Sequence, residues 1–162
     1  MQVLDQLRTL SEERFLAIYE SLSQQGFGPL DGEVAKALKF RPQAIRKLPM
    51  AQRAKKARSI LIARSNGEMA YEVFGTYLLK EHRGLVTGFL DLTGVRHEDG
   101  MIEDLDGNPP EDAKLDAALS ELDAKFAPQD VTLYLAMCAE QWPTVKRLDA
   151  LWRARSGAPA AA

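Results

Sequence analysis

The two histidines of this chain are the residues whose side chains most readily bind a metal. His82 follows Glu81, and His97 precedes Glu98 and Asp99. Because imidazole and carboxylate groups are the usual ligands of zinc, manganese and iron, His82 and His97 suggest a metal-dependent enzyme as one hypothesis. Neither a His-x-x-x-His nor a Glu-x-x-His spacing occurs, however. The prediction is therefore that both histidines lie among solvated charges, and no metal or other cofactor is predicted.

The short motifs of common enzymes are also missing from the sequence. It has no Gly-x-Ser-x-Gly, no phosphate-binding glycine loop and no Cys-x-x-Cys. Cys138 is the only cysteine and lies in an apolar run, which is typical of a buried, inert thiol in a reducing compartment. A fold can still bring distant catalytic groups together. No catalytic residue is predicted, and a non-enzymatic protein is the favoured interpretation.

Charge is distributed unevenly along the chain. The 162 residues include 21 Lys or Arg and 23 Asp or Glu, which gives a net charge of only -2 at pH 7. Residues 36–64 nevertheless contain ten Lys or Arg and no acidic residue, whereas residues 98–123 contain ten Asp or Glu and one basic residue, Lys114. Because the summed field is weak, attraction to nucleic acid or to another charged partner requires a local patch.

The basic segment can present a face to a macromolecular partner, or the two segments can neutralise each other by internal packing or head-to-tail self-association. The predicted function is the first of these: a bacterial-type, cytosolic interaction or regulatory module that binds a protein partner or a second copy of itself. The predicted binding residues are Arg41, Gln43, Arg46, Lys47, Arg53, Lys55, Lys56 and Arg58.

A small residue and four apolar residues recur at characteristic spacings within the basic segment. The small residue is Ala35, and the apolar residues are Leu38, Phe40, Ile45 and Leu48. In this pattern, residues 33–48 resemble the helix-turn-helix motif of bacterial transcription regulators, in which the small residue lies at the helix crossing and the apolar residues are buried.

That resemblance implies a second, recognition helix whose exposed side carries four polar residues. Side chains of these types bind base edges and phosphates in the major groove. Lys39 stands where the motif usually has glycine at its left-handed turn, and Pro49 shortens the second helix. Nucleic-acid binding through residues 33–58 is therefore the alternative function. The four exposed residues are Arg41, Gln43, Arg46 and Lys47.

Apolar residues repeat with helical spacing along most of the chain, and no segment alternates with period two for long enough to form a strand. Thr9 and Glu12 have the spacing of a capping box, which predicts a helix that begins there and ends at Gly26. A later helix continues past Gly84 or kinks there. The sequence predicts an all-α, compact bundle of six to eight helices, with one long acidic loop over residues 96–112.

The chain length favours a single helical domain over residues 1–156, with 1–66 and 67–156 as candidate sub-lobes. Residues 157–162 lack an apolar pattern and are predicted to be a disordered tail. No secretory signal and no apolar run of about 20 residues occurs, so we expect a cytoplasmic protein without a membrane partner.

Overall fold

The computed structural model describes residues 1–157, and helices account for most of them. This part of the chain has no helix long and apolar enough to cross a membrane. A short 3-10 helix, Asp112–Lys114, precedes the eighth α-helix. The ten α-helices are α1 (Gln2–Thr9), α2 (Glu12–Gln24), α3 (Pro29–Leu38), α4 (Pro42–Arg46), α5 (Met50–Ala63), α6 (Gly67–Glu81), α7 (Arg83–Leu92), α8 (Leu115–Lys125), α9 (Pro128–Gln141) and α10 (Lys146–Ser156).

The all-helical prediction is confirmed for the described residues, but six to eight helices is too few. One reason is the N-terminus, where α1 is a separate helix. Leu10 leaves the helical conformation (φ -64°, ψ 139°), and Ser11 then caps α2 by accepting a hydrogen bond from the backbone N–H of Arg14 at 3.1 Å. The predicted cap, Thr9, instead ends α1, and its hydroxyl donates to the carbonyl of Gln6.

The second reason is a break between α6 and α7. The sequence predicted one helix that continues past Gly84 or kinks there. The break falls at His82, whose backbone (φ -132°, ψ 40°) both ends α6 and precedes α7. The side chain of His82 is held there by the hydroxyl of Tyr77, 3.1 Å from Nε2. The boundary therefore lies at His82, two residues before Gly84.

Helix α9 lies at the centre of the C-terminal helices. Its residues 130–139 are all buried, because α9 packs against α1, α6, α8 and α10. The first helix of the chain thus joins the group formed by the last ones, and Trp152 of α10 donates to Gln6 of α1 at 2.7 Å. Trp142 and Trp152 are both buried.

Helices α2, α3, α4 and α5 form a smaller group, whereas α7 packs against α6 and α8. Helix α5 packs between α2 and α3, and α4 packs against α3. This group is joined to the rest mainly where α2 and α5 contact α6 and where α1 contacts α5. One continuous apolar core runs through both groups.

Residues 93–111 contain no helix, and they include almost all of the predicted acidic loop. The loop is tied back on itself by two hydrogen bonds between the backbones of Glu98 and Met101, at 2.8 and 2.9 Å. The indole N–H of Trp142 donates to the carbonyl of Leu105 at 2.9 Å, which fastens the loop to the end of α9. Gly157 ends α10, and the rest of the predicted tail lies outside the described residues.

Candidate interaction surface

The turn between α3 and α4 carries a group of exposed cations. Lys39 ends α3 in the left-handed conformation (φ 55°, ψ 36°), and the next residue, Phe40, donates its backbone N–H to the carbonyl of Ala35 at 2.9 Å. A non-glycine residue in this conformation costs about 1 kcal/mol. We define the basic corner as Lys39, Phe40, Arg41, Arg46 and Lys47.

Helix α4 faces outward because it is short. It contains only five residues, and Ile45 is its one buried side chain. All four polar residues that the helix-turn-helix resemblance placed on the exposed side are exposed, as expected: Arg41, Gln43, Arg46 and Lys47.

One expectation from that resemblance is wrong. Phe40 was expected to be buried between the two helices, but the residue is 53% exposed. It lies between the left-handed Lys39 and the extended Arg41 (φ -74°, ψ 144°), so the chain turns there without bringing the ring into the core. The corner therefore combines an exposed aromatic ring with cations.

The cations of the basic corner have no internal counterion in the part of the chain that the structure describes. Lys39, Arg41, Arg46 and Lys47 form no ion pair there, while other cations of the segment pair with Glu12, Asp31 and Glu33 of the N-terminal helices. Five of the ten acidic residues in the segment 98–123 pair with other cations. These ion pairs are Asp99 with Arg83, Glu111 with Lys114, Asp116 with Arg147, Glu121 with Lys125, and Asp123 with Arg155.

Two further predicted residues border a groove between α3 and α5. Lys55 and Lys56 stand at its edge, and Leu38 and Ile60 supply apolar surface. The groove has a volume of about 440 Å³. Lys55 also reaches Glu12 of α2, with 3.8 Å between Nζ and Oε1, but both side chains remain about two-thirds exposed. Exposed ion pairs of this kind contribute little to stability.

Arg53, also predicted to bind a partner, points into the fold instead. It is 9% exposed, and its guanidinium lies 3.3 Å from Asp31 and 3.2 Å from the hydroxyl of Ser23. Its Nε donates to the hydroxyl of Tyr19 at 3.3 Å, and Tyr19 in turn donates to Asp31. Burial, reinforced by the Asp31 carboxylate, raises the pKa of Tyr19 to about 12. The structure therefore does not place Arg53 with the other predicted binding residues.

Arg58 is likewise used internally. Its Nη2 donates to three backbone carbonyls at the end of α1, those of Leu7, Arg8 and Leu10, at 3.3, 3.1 and 2.9 Å. A cation at the carbonyl end of a helix is favourable because it meets the negative end of the helix dipole. The sequence carries a signal for the inward direction of both arginines, because residues four apart lie on the same face of a helix. Arg53 lies four residues before the core residue Ala57, and Arg58 lies four residues after the core residue Ala54.

The two histidines are held by different neighbours. His82 contacts the hydroxyl of Tyr77 and lies 3.6 Å from the carboxylate of Asp130, which also pairs with Arg14. Arg14 donates to Tyr77 as well, at 3.1 Å, and burial is the main cause that raises the pKa of Tyr77. These side chains join α2, α6 and α9 at the break between α6 and α7.

His97 forms a separate set of contacts within the loop. Its Nε2 lies 2.9 Å from Asp91, and its Nδ1 accepts a hydrogen bond from the backbone of Gly100 at 3.0 Å. Over residues 1–157, no three His, Cys, Asp or Glu side chains are grouped so that they could hold a metal ion. The hypothesis of a metal-dependent enzyme thus finds no ligand set in that part of the chain.

Cys138 is buried in α9, as its apolar neighbours predicted. Burial raises the pKa of its thiol far above the usual range. Because the thiolate is the reactive form of cysteine, the side chain stays protonated and inert at neutral pH. It therefore adds no nucleophile to the surface described above.

Comparison of the chain with protein-family models, with curated proteins and with solved structures gave no match. Function is therefore inferred from the exposed residues of the chain itself, foremost those of the basic corner.

Proposed function

We propose that this protein is a non-enzymatic interaction module whose basic corner binds an acidic segment of a protein partner. The observation that carries the proposal is that Lys39, Arg41, Arg46 and Lys47 are exposed and form no ion pair within the described residues. None of them pairs with a residue of the acidic segment, and exposed unpaired cations can steer and orient an acidic partner.

The exposed ring of Phe40 supports a protein partner in particular. Aromatic residues and arginine are enriched at the centres of protein interfaces, where few residues supply most of the binding energy. Full burial of a phenylalanine side chain is worth about 1.5–3 kcal/mol. Phe40 lies beside Arg41 and two residues after Leu38 of the α3–α5 groove, so a segment that carries apolar residues among its carboxylates would be complementary to this surface.

The dimensions of α4 favour this proposal over insertion into DNA. Five residues make a helix about 7.5 Å long, less than one and a half turns, so it presents few side chains to the base edges in the major groove that a recognition helix enters. Pro49 also prevents a longer second helix. The left-handed turn at Lys39 is the feature that the corner shares with a helix-turn-helix motif. Nucleic-acid binding through residues 33–58 is therefore the alternative that the following experiment distinguishes from protein binding.

The test measures binding of two probes by fluorescence anisotropy: a short labelled peptide of glutamates interrupted by leucines, and a labelled DNA duplex of mixed sequence. The double variant Arg46→Glu with Lys47→Glu is expected to bind the peptide at least about tenfold more weakly, equivalent to about 1.4 kcal/mol. Phe40→Ser, which leaves the charge unchanged, should also weaken it because the apolar contact is lost.

A second double variant, Arg64→Glu with Lys80→Glu, is the matched control. It changes the net charge equally at two exposed cations outside the basic corner, and it should keep the affinity for the peptide within about twofold of the wild type. Equal losses in both double variants, or no binding of either probe, would overturn the proposal. Tighter binding of DNA than of the peptide, unaffected by Phe40→Ser and falling steeply with salt, would establish the nucleic-acid alternative.

A further inference from the structure

A pocket of about 230 Å³ lies between α6, α7, α9 and the acidic loop. We propose that it binds a small, uncharged and mostly apolar molecule of about the size of indole. Its site is distinct from the basic corner, and none of the residues predicted from the sequence to bind a partner lines it.

The walls of the pocket are suited to an apolar ligand. Leu78 and Val86 line one side, and Met137 lines another. The side chains of Tyr71, Tyr134 and Cys138 also face it, and burial raises the pKa of each. Because these groups remain neutral, the pocket offers no charge to pair with an ion, and a ligand that enters must be uncharged.

One end of the pocket is polar. The hydroxyl of Tyr71 donates to the side-chain oxygen of Gln141 at 3.0 Å. The hydroxyl oxygen of Tyr71 and the side-chain oxygen of Gln141 each keep a lone pair that can accept a hydrogen bond from a ligand. Pockets for small molecules typically combine such an apolar wall with a few hydrogen-bonding groups that fix the orientation of the ligand.

The acidic loop forms the roof. Gly100 presses closely on the helices below: a Cβ atom there would lie 3.0 Å from the side chain of Leu79, and its φ of 90° favours glycine. Met101 and Leu105 line the pocket and yet remain substantially exposed, Met101 at 63%. Apolar side chains held over a pocket by a tied loop give the ligand contacts on a second side.

The volume limits the size of the ligand. An apolar cavity of about 150 Å³ binds benzene, which has six heavy atoms. Scaled to about 230 Å³, the pocket holds a molecule of about nine heavy atoms. Indole has this size and is neutral, and its one hydrogen-bonding group, the ring N–H, can donate to the hydroxyl oxygen of Tyr71 or to the side-chain oxygen of Gln141 at the polar end.

Methionine methyl groups provide a direct readout. The chain has five methionines, of which Met101 and Met137 line the pocket. With methyl-13C methionine, titration with indole should shift the NMR signals of these two residues in a saturable manner and leave the others unchanged. The other three are Met1, Met50 and Met69.

Two glycine substitutions on helices form a matched pair. Gly75 lines the pocket, and a Cβ atom there would lie 3.2 Å from the Cε of Met137, whereas a Cβ at Gly32 of α3 would meet nothing within 4 Å. Gly75→Leu fills the pocket and should weaken indole binding at least about tenfold. Gly32→Leu should bind as the wild type does.

Three results would overturn the proposal: no shift of the Met101 and Met137 signals up to the solubility limit of indole, equal shifts of all five methionine signals, or unchanged affinity in folded Gly75→Leu. If Gly75→Leu does not fold, Gly75→Ala replaces it with a smaller expected loss, and the methionine pattern of the wild type decides the question. These outcomes do not depend on binding at the basic corner.

Discussion

Helix α5 and the basic corner belong to the same basic segment, but they use their arginines in opposite ways. Arg53 and Arg58 of α5 reach inward, to a carboxylate and to backbone carbonyls, whereas Arg41 and Arg46 of the corner find no such acceptor in the described residues. The difference follows from packing. One face of helix α5 packs against α2 and α3, while α4 buries only Ile45.

This contrast shows that a run of positive charge is not by itself a binding surface. Each cation is either used by the fold or left for a partner, according to whether a neighbouring helix supplies an acceptor. The two uses predict opposite effects of substitution: loss of stability in α5, and loss of binding at the corner. Both can be measured in the same protein.

The largest effect is expected for Arg53→Met, which removes the counterion of the buried Asp31. Breaking a buried ion pair on one side typically costs about 3–5 kcal/mol, because the remaining charge is left uncompensated. Urea denaturation should show a loss of this size in the free energy of unfolding. Lys55→Met, on the exposed side of the same helix, should change it by less than about 0.5 kcal/mol. A loss below about 1 kcal/mol for Arg53→Met would show that Arg53 does not stabilise the fold, and the contrast between α5 and the basic corner would not hold.

The same cluster predicts how stability changes at alkaline pH. The pKa of Tyr19 is raised in the folded protein from its ordinary value of 10.0 to about 12. The unfolded chain therefore loses this proton first, so the contribution of Tyr19 is fully present below about pH 10 and is lost as the pH rises to about 12. Tyr19→Phe should show a shallower fall in the free energy of unfolding across this range. If the free energy of unfolding fell equally steeply with pH in Tyr19→Phe and in the wild type, the raised pKa of Tyr19 would be contradicted.

Arg58→Met should have a smaller effect than Arg53→Met, because it leaves carbonyls and no buried charge. Hydrogen bonds from a charged donor are worth about 1.5–3 kcal/mol, and water replaces part of this at a partly exposed helix end. A loss of about 1–2 kcal/mol is expected. Faster amide hydrogen exchange in α1, with Lys56→Met as the control, would locate the effect at the helix that Arg58 caps.

The sequence predicted the elements better than their contacts. Helical periodicity correctly indicated an all-α fold for the described residues, because burial of one face leaves a repeating local pattern. The helix-turn-helix resemblance indicated that Arg46 and Lys47 would be exposed, and they are. The separate helix α1 and the break at His82 were missed; non-helical backbone at Leu10 and His82 marks these boundaries.

The four-residue spacing from Ala57 places Arg53 on the buried face of α5, but no local pattern encodes its partner Asp31, which lies 22 residues earlier. The pocket under the acidic loop could not be predicted for the same reason. Its walls come from α6, α7, α9 and the loop, and the loop position is fixed by the bond from Trp142 to Leu105. Such sites arise from tertiary packing between distant segments, whereas the exposure of the basic corner follows from a short helix and its neighbouring proline.

The smallest change in stability is expected for the double variant Arg46→Glu with Lys47→Glu. Exposed residues without an ion-pair partner contribute within about 0.5 kcal/mol, and the loss of a cation near the end of α4 is offset by less repulsion with Lys39 and Arg41. Urea denaturation should therefore give nearly the wild-type free energy of unfolding in the variant whose peptide affinity falls at least about tenfold. A loss above about 1 kcal/mol would mean that the corner cations support the fold as Arg53 does, and weakened binding could then no longer be attributed to a missing contact with a partner.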